Sequence, residues 1–186
     1  VATLGGYPAQ PTMSILKYPA KVQNLSSIPK SLKQNGYTTS MLYGGDLNFA
    51  GIKSFFITQG VNNLTVDKDF PAKYLMVKWG APDHITFERF RQEIDENESY
   101  PYMKMFLTLS SHEPFDVPMN RFSNPYLNSV AYTDSCLGVF IDELKETKEW
   151  EDALIVLVPD HNMRYPANEM NYTDRRHSIF MLWLGG

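Results

Sequence analysis

The chain has 186 residues, of which 43% are hydrophobic, 20% charged and 13% aromatic; that is too apolar for a disordered segment and enough for the core of one domain. Lys and Arg number 17 against 21 Asp and Glu, and the resulting net charge of -4 leaves no electrostatic footprint for nucleic acid. Cys136 is the only cysteine, which excludes a disulfide framework, and no apolar run approaches the roughly 20 residues that span a bilayer.

Taken in chain order, the segment 5–19 carries Pro8, Pro11 and Pro19 and reads as irregular. A short helix follows, capped by Ser26 or Ser27, with Pro29 in its first turn and Gly36 to close it. Residues 37–43 form a predicted strand ending at Gly44-Gly45-Asp46, and 47–56 a second helix. A short strand is predicted over 62–66. After Pro82-Asp83, the apolar positions Ile85, Phe87, Phe90 and Ile94 recur at helical spacing. The apolar run 102–109 has the profile of a strand buried on both faces. A Pro-rich loop covers 113–125. The clearest helix follows it, with Val130, Leu137, Phe140, Ile141 and Leu144 on one stripe. Two more apolar strands are predicted, 153–158 and 179–184. Helices alternating with buried strands predict an α/β fold, with a central, mainly parallel sheet flanked by helices.

Open α/β sheets collect ligands beyond the carboxyl ends of their strands, so the residues after each predicted strand are the ones to inspect. Asp46 follows the first, Ser110-Ser111-His112-Glu113 the strand 102–109, and Asp160-His161 the strand 153–158. A carboxylate beside an imidazole at a strand end is a donor pair suited to a divalent cation. Each residue also has a plainer reading: a solvated Asp-His dipeptide, a loop histidine bonded to backbone at His112, an Asx turn at Asp46, a cap-region residue at His84, and a surface residue at His177. Tyr7, Trp79 and Trp183 read as core or rim, and Cys136 as an inert buried thiol. No dinucleotide-binding, Walker-type or Gly-x-Ser-x-Gly pattern occurs, nor any pair of histidines at zinc-protease spacing.

Five motifs, Tyr43-Gly44-Gly45-Asp46, Trp79-Gly80-Ala81-Pro82-Asp83, Thr108-Leu109-Ser110-Ser111-His112-Glu113-Pro114-Phe115, Val158-Pro159-Asp160-His161 and the stretch from His177 to Trp183, stand in one order along the chain. Together they resemble the sulfatase-like part of the alkaline phosphatase superfamily, in particular its lipoteichoic-acid-synthase-like phosphoglycerol transferases. The resemblance implies an α/β domain holding one or two divalent metals (manganese, magnesium, zinc or calcium). It assigns Asp160 and His161 to the metal. It assigns His112 to the transferred phosphate or sulfate group, and Asp46 to the substrate's surroundings; Arg164 and His177 are further anion contacts that no motif fixes.

The nucleophile of that family is a threonine, or in true sulfatases a modified cysteine or serine, and an upstream acidic residue adds a metal ligand. Both would precede Val1. Thr3 and Thr12 lack the matching context, Cys136 lies outside any sulfatase-type cysteine motif, and Asn162 replaces the glycine that often follows the Asp-His pair. Residues 1–186 are therefore expected to be a single partial catalytic domain, lacking the N-terminal nucleophile segment and the C-terminal end, with Val1 and Gly186 read as cuts. The expected parent is a membrane-anchored bacterial enzyme, its catalytic domain outside the cytoplasm, acting on phosphate or sulfate esters that are lipid- or glycan-linked. This chain alone would be soluble and inactive. The alternative is a non-catalytic module that keeps the fold to bind a glycan or lipid headgroup. A purely structural α/β domain would require the three strand-end groups to diverge in space.

Overall fold

The computed structural model describes residues 1–186 except 9, 11, 12, 76, 77, 164, 166–169, 171 and 172, and except the side chains of 50, 176 and 177. Two short turns of helix, α1 (Ala2–Gly5) and α2 (Pro19–Val22), break the irregular N-terminal stretch. Helix α3 (Ile28–Gln34) begins as its residues dictate: the Ser27 hydroxyl accepts the Lys30 N–H at 3.3 Å, and Pro29 occupies the first turn, where its missing N–H costs nothing. Strand β1 (Thr38–Tyr43) follows. The helix expected over 47–56 is divided instead. A 3-10 turn at Phe49–Gly51 gives way to α4 (Ile52–Thr58), because Gly51 takes a φ of 77° that no α-helix contains. The remaining elements are β2 (Asn63–Thr65), α5 (Asp83–Asp95), β3 (Tyr102–Leu107), α6 (Pro125–Lys145), α7 (Glu149–Asp152), β4 (Ile155–Leu157), α8 (Asp174–His177) and β5 (Leu182–Leu184).

Strands β2, β1 and β3 form a parallel sheet in that order, with Tyr43 opposite Leu107 at one end. The central strand alternates between two cores. Met41 points into a cluster with Val22, Phe55, Phe56 and Val61 on one face. Its neighbour Leu42 points into a larger cluster with Phe87, Phe90, Ile94, Phe140, Ile141 and Leu144 on the other. The result is a small parallel sheet flanked by helices, the expected α/β layering. In the larger core, Phe87 meets Phe106 edge-on at 4.6 Å, Phe90 stacks on Phe106 at 5.1 Å, and both rings pack against Phe140.

Three expectations are corrected. Strand β3 stops at Leu107 rather than 109, and none of its residues is fully buried: Phe106 packs on one face and Met105 and Leu107 on the other, but within the described sheet its outer edge is open. Val130 is exposed, because the buried face of α6 runs through Ser129, Tyr132, Phe140, Ile141 and Leu144, one residue out of step with it. Strands β4 and β5 join each other antiparallel in a separate pair, three residues each. Ile155 and Leu184 lean on the larger core, while Leu154, Val156, Phe180 and Trp183 are exposed. Among the described residues no helix is long and apolar enough to cross a membrane.

Leu42 has no exposed surface and sits at the centre of the aromatic core. Leu42→Ala is expected to cost about 2–5 kcal/mol, seen as a lower urea midpoint with an unchanged slope.

Candidate active site

The parallel register of β1 and β3 brings their carboxyl ends side by side, and the backbone then locks the β1 exit to a third segment. Gly45 bridges to Gly80, and the Ala81 N–H donates to the Gly44 carbonyl at 2.9 Å. This approach is too close for any side chain. A Cβ on Gly80, whose φ is 144°, would lie 2.0 Å from the Gly44 oxygen. The Trp79 loop is thereby pressed against the β1 exit, with the indole 6.2 Å from Phe49.

The β3 exit brings His112 against the same indole, edge to face at 4.8 Å. One carbonyl orients both rings: Glu113 C=O accepts the His112 Nδ1–H at 2.9 Å and also the Trp79 Nε1–H. A carbonyl oxygen has two lone pairs, so it can hold both donors at once. With Nδ1 committed as a donor, Nε2 is the free nitrogen of His112. It takes a proton when the ring is neutral and gives a hydrogen bond when the ring is protonated. Lys78 places its ammonium 5.0 Å over the Trp79 ring, and the shallow cleft between these groups is lined by Lys78, Trp79, Ser110, His112 and Asp116.

Around the β1 exit the charge is negative. Tyr43 is held protonated, its pKa raised by burial and then by the carboxylates of Asp46, Asp160 and Asp67. Two of those three carboxylates, Asp46 and Asp160, belong to strand-end residues singled out in the sequence. Asp46 is exposed, and its Oδ1 accepts the Asn48 backbone N–H at 2.8 Å and the Asn48 Nδ2–H at 2.7 Å, the Asx turn of the plainer reading.

Asp160 and His161 are both exposed, with Asp160 Oδ2 3.6 Å from His161 Nε2. His161 Nδ1–H donates to the Asn162 carbonyl at 3.0 Å, so Nε2 is again the free nitrogen. A carboxylate oxygen and an imidazole nitrogen are donor types suited to a divalent cation, and two such donors fall short of a full coordination shell. Among the described residues no group of three or more His, Cys, Asp and Glu is gathered to hold an ion. Arg164 lies outside the described residues; His177 is the last residue of α8, with its side chain outside them.

Asp83 closes the motif that begins at Trp79, and motif reading gave it no role. It opens α5 and has no exposed surface. Oδ1 accepts the N–H groups of Leu109 and Ser110 at 2.8 and 3.1 Å, Oδ2 accepts the Thr133 hydroxyl at 2.6 Å, and the Asp83 N–H donates to Ser110 Oγ at 2.9 Å. Next to it, the Tyr132 hydroxyl accepts the His84 N–H at 3.4 Å. Burial and the Asp83 charge raise the Cys136 thiol, against a hydrogen bond from Tyr132.

Residues 2–178 match the family described as Sulfatase. The chain belongs to the sulfatase family. It is 26% identical over 144 residues to the lipoteichoic acid synthase-like protein YvgJ of Bacillus subtilis, covering 71% of this chain and 23% of that protein. To lipoteichoic acid synthase 2 of the same organism it is 27% identical over 159 residues, covering 76% and 24%. Among solved structures, an alkaline phosphatase superfamily protein from Vibrio parahaemolyticus superposes with a TM-score of 0.81 at 26% identity, over 99% of this chain and 47% of that one. The lipoteichoic acid synthase LtaP of Listeria monocytogenes shares the fold, with a TM-score of 0.79 at 20% identity over 98% and 51%. This member of the sulfatase family thus spans about a quarter of those curated relatives and about half of those solved chains.

Two outcomes test the geometry. Gly80→Ala is expected to cost more than about 1 kcal/mol in urea unfolding, since both its φ and its space exclude a side chain. Gly138→Ala, in the middle of α6 with nothing near its added carbon, should instead stabilise by about 0.5–1 kcal/mol. For Cys136, a raised pKa means less thiolate at any pH below it. Its alkylation by iodoacetamide at pH 8 should be slower than that of free cysteine, and an equal rate would contradict the burial.

Proposed function

We propose that this chain is part of the catalytic domain of an enzyme of the bacterial envelope that cleaves or transfers a phosphate- or sulfate-ester group. The observation that carries the reading is the pairing of His112 and Trp79 on the Glu113 carbonyl, beside Lys78 and at the carboxyl edge of the parallel sheet. Relatives named as lipoteichoic acid synthases and phosphoglycerol transferases support the substrate class, and they support a membrane-anchored parent.

The residues divide the work. His112 Nε2, once protonated, donates to an anionic oxygen of the transferred group or passes its proton to the leaving oxygen. Lys78 adds positive charge at the same cleft. Asp160 and His161 hold the cation, with Asp46 at the substrate's edge and Arg164 and His177 as further anion contacts. A divalent cation, when bound, supplies charge neutralisation at the ester oxygen and lowers the pKa of the nucleophile.

The test uses the full-length protein and this chain side by side on p-nitrophenyl phosphate, p-nitrophenyl sulfate and vesicles of a phospholipid with a phosphoglycerol headgroup. The full-length protein should turn over at least one of them, lose activity in EDTA, and lose about 100-fold in kcat on His112→Gln. This chain alone should show no turnover and retain no stoichiometric metal after dialysis, measured by elemental analysis. A full-length protein that binds the vesicles without any turnover would overturn the catalytic reading in favour of a binding module.

A further inference from the structure

We propose that Asp83 is the positioning residue for His112: its buried carboxylate sets the course of the loop after β3 and through it the place of the imidazole. The proposal rests on reading His112 as the contact to the transferred group. Asp83 itself is fully enclosed and can touch no substrate. It reaches the loop through three hydrogen bonds, and two of them, from the consecutive N–H groups of Leu109 and Ser110 to one oxygen, fix the orientation of the peptide between those residues. The third returns from the Asp83 N–H to Ser110 Oγ, so the same residue is held from both sides.

The loop then runs to the imidazole through short backbone turns. The Leu109 carbonyl accepts the His112 N–H at 3.0 Å, and the His112 carbonyl accepts the Phe115 N–H at 2.9 Å. A shift of the Leu109–Ser110 peptide is therefore passed directly to His112. The other carboxylate oxygen is tied to Thr133 in the second turn or beyond of α6, which references the loop to the longest helix of the domain. Three donors on a buried carboxylate satisfy it in one arrangement of loop and helices. Asparagine at this position keeps one oxygen for both loop N–H groups and turns an N–H toward Thr133 Oγ1, so geometry and charge can be separated.

The experiment compares Asp83→Ala, Asp83→Asn, Thr133→Val and His112→Gln in the full-length protein. Steady-state kinetics on p-nitrophenyl phosphate and p-nitrophenyl sulfate are read with hydrogen exchange by mass spectrometry of peptides covering 107–115 and 38–43. Asp83→Ala should lower kcat about 10- to 100-fold with KM changed less than about 3-fold, as expected for a misplaced catalytic group. Exchange should quicken in 107–115 and not in 38–43. Asp83→Asn should stay within about 3-fold of the parent in kcat, because the loop keeps its acceptor. If Asp83→Ala does not fold, Thr133→Val carries the test, with kcat lower by about 3- to 10-fold and faster exchange confined to 107–115. Faster exchange with unchanged kcat would overturn the positioning role and leave the reading of His112 intact. Unchanged turnover in His112→Gln would overturn that reading, and the proposal with it.

Discussion

A carboxylate removed from water is costly unless donors replace its hydration, and at Asp83 the replacement is made by the very segments that have to meet. Two donors come from the exit of β3, one from α6, and the residue itself opens α5. Pulling any of these away leaves a buried charge short of a partner, so the carboxylate tolerates one relative placement of two helices and a loop. Hydrophobic packing beneath it is less exacting. Phe87, Phe90, Phe106 and Phe140 would gain most of their burial in several neighbouring arrangements, since apolar burial is non-directional. The polar contact selects among them.

The second constraint is steric. Where the Trp79 loop crosses the β1 exit, Gly44, Gly45 and Gly80 let two backbones touch, and the hydrogen bond from Ala81 to Gly44 closes the contact. Asp83 lies three residues after Gly80, so the same short segment is held by backbone contact to β1 and by its carboxylate to β3. Trp79 and His112 arrive from opposite sides of that double attachment and share the Glu113 carbonyl. Its effect on chemistry is specific. With Nδ1–H given to the carbonyl, only Nε2 of His112 can exchange a proton with anything outside, and its direction is set by the fixed ring.

The layering, β1, α5 and α6 were legible in the sequence, because each is written in local periodicity or in turn residues. What escaped was anything that depends on a contact between distant segments. Asp83 reads as an acid at a helix N-terminus, a common and exposed place for one, and only its bonds to residues 109, 110 and 133 reveal its burial. Trp79 reads as core or rim until the fold brings His112 to its edge. Val130 matched the apolar stripe of α6 by composition, yet the buried face is set by where Leu42 and the phenylalanines lie. The short β4–β5 pair shows the same limit: an apolar run such as 153–158 does not reveal whether one face or two will be covered.

The two sides of the candidate site differ in how they are held. On the His112 side one carbonyl holds both rings and the indole packs on the imidazole, a form of the preorganisation that stabilising a developing charge requires. On the Asp160 side His161 is likewise bonded to a backbone carbonyl, but it and Asp160 approach only to 3.6 Å, looser than a hydrogen bond. A bound cation would draw such donors together, and its charge would also offset the negative charge that Asp46, Asp160 and Asp67 place on Tyr43. In the reading proposed here, the anion-facing half of the site is built by folding, whereas the metal-facing half is completed by binding. In that proposal Lys78 and a protonated His112 would have to outweigh Asp116 in the cleft to favour an ester anion, whereas the negative charge that Asp46, Asp160 and Asp67 place on Tyr43 would favour the ion.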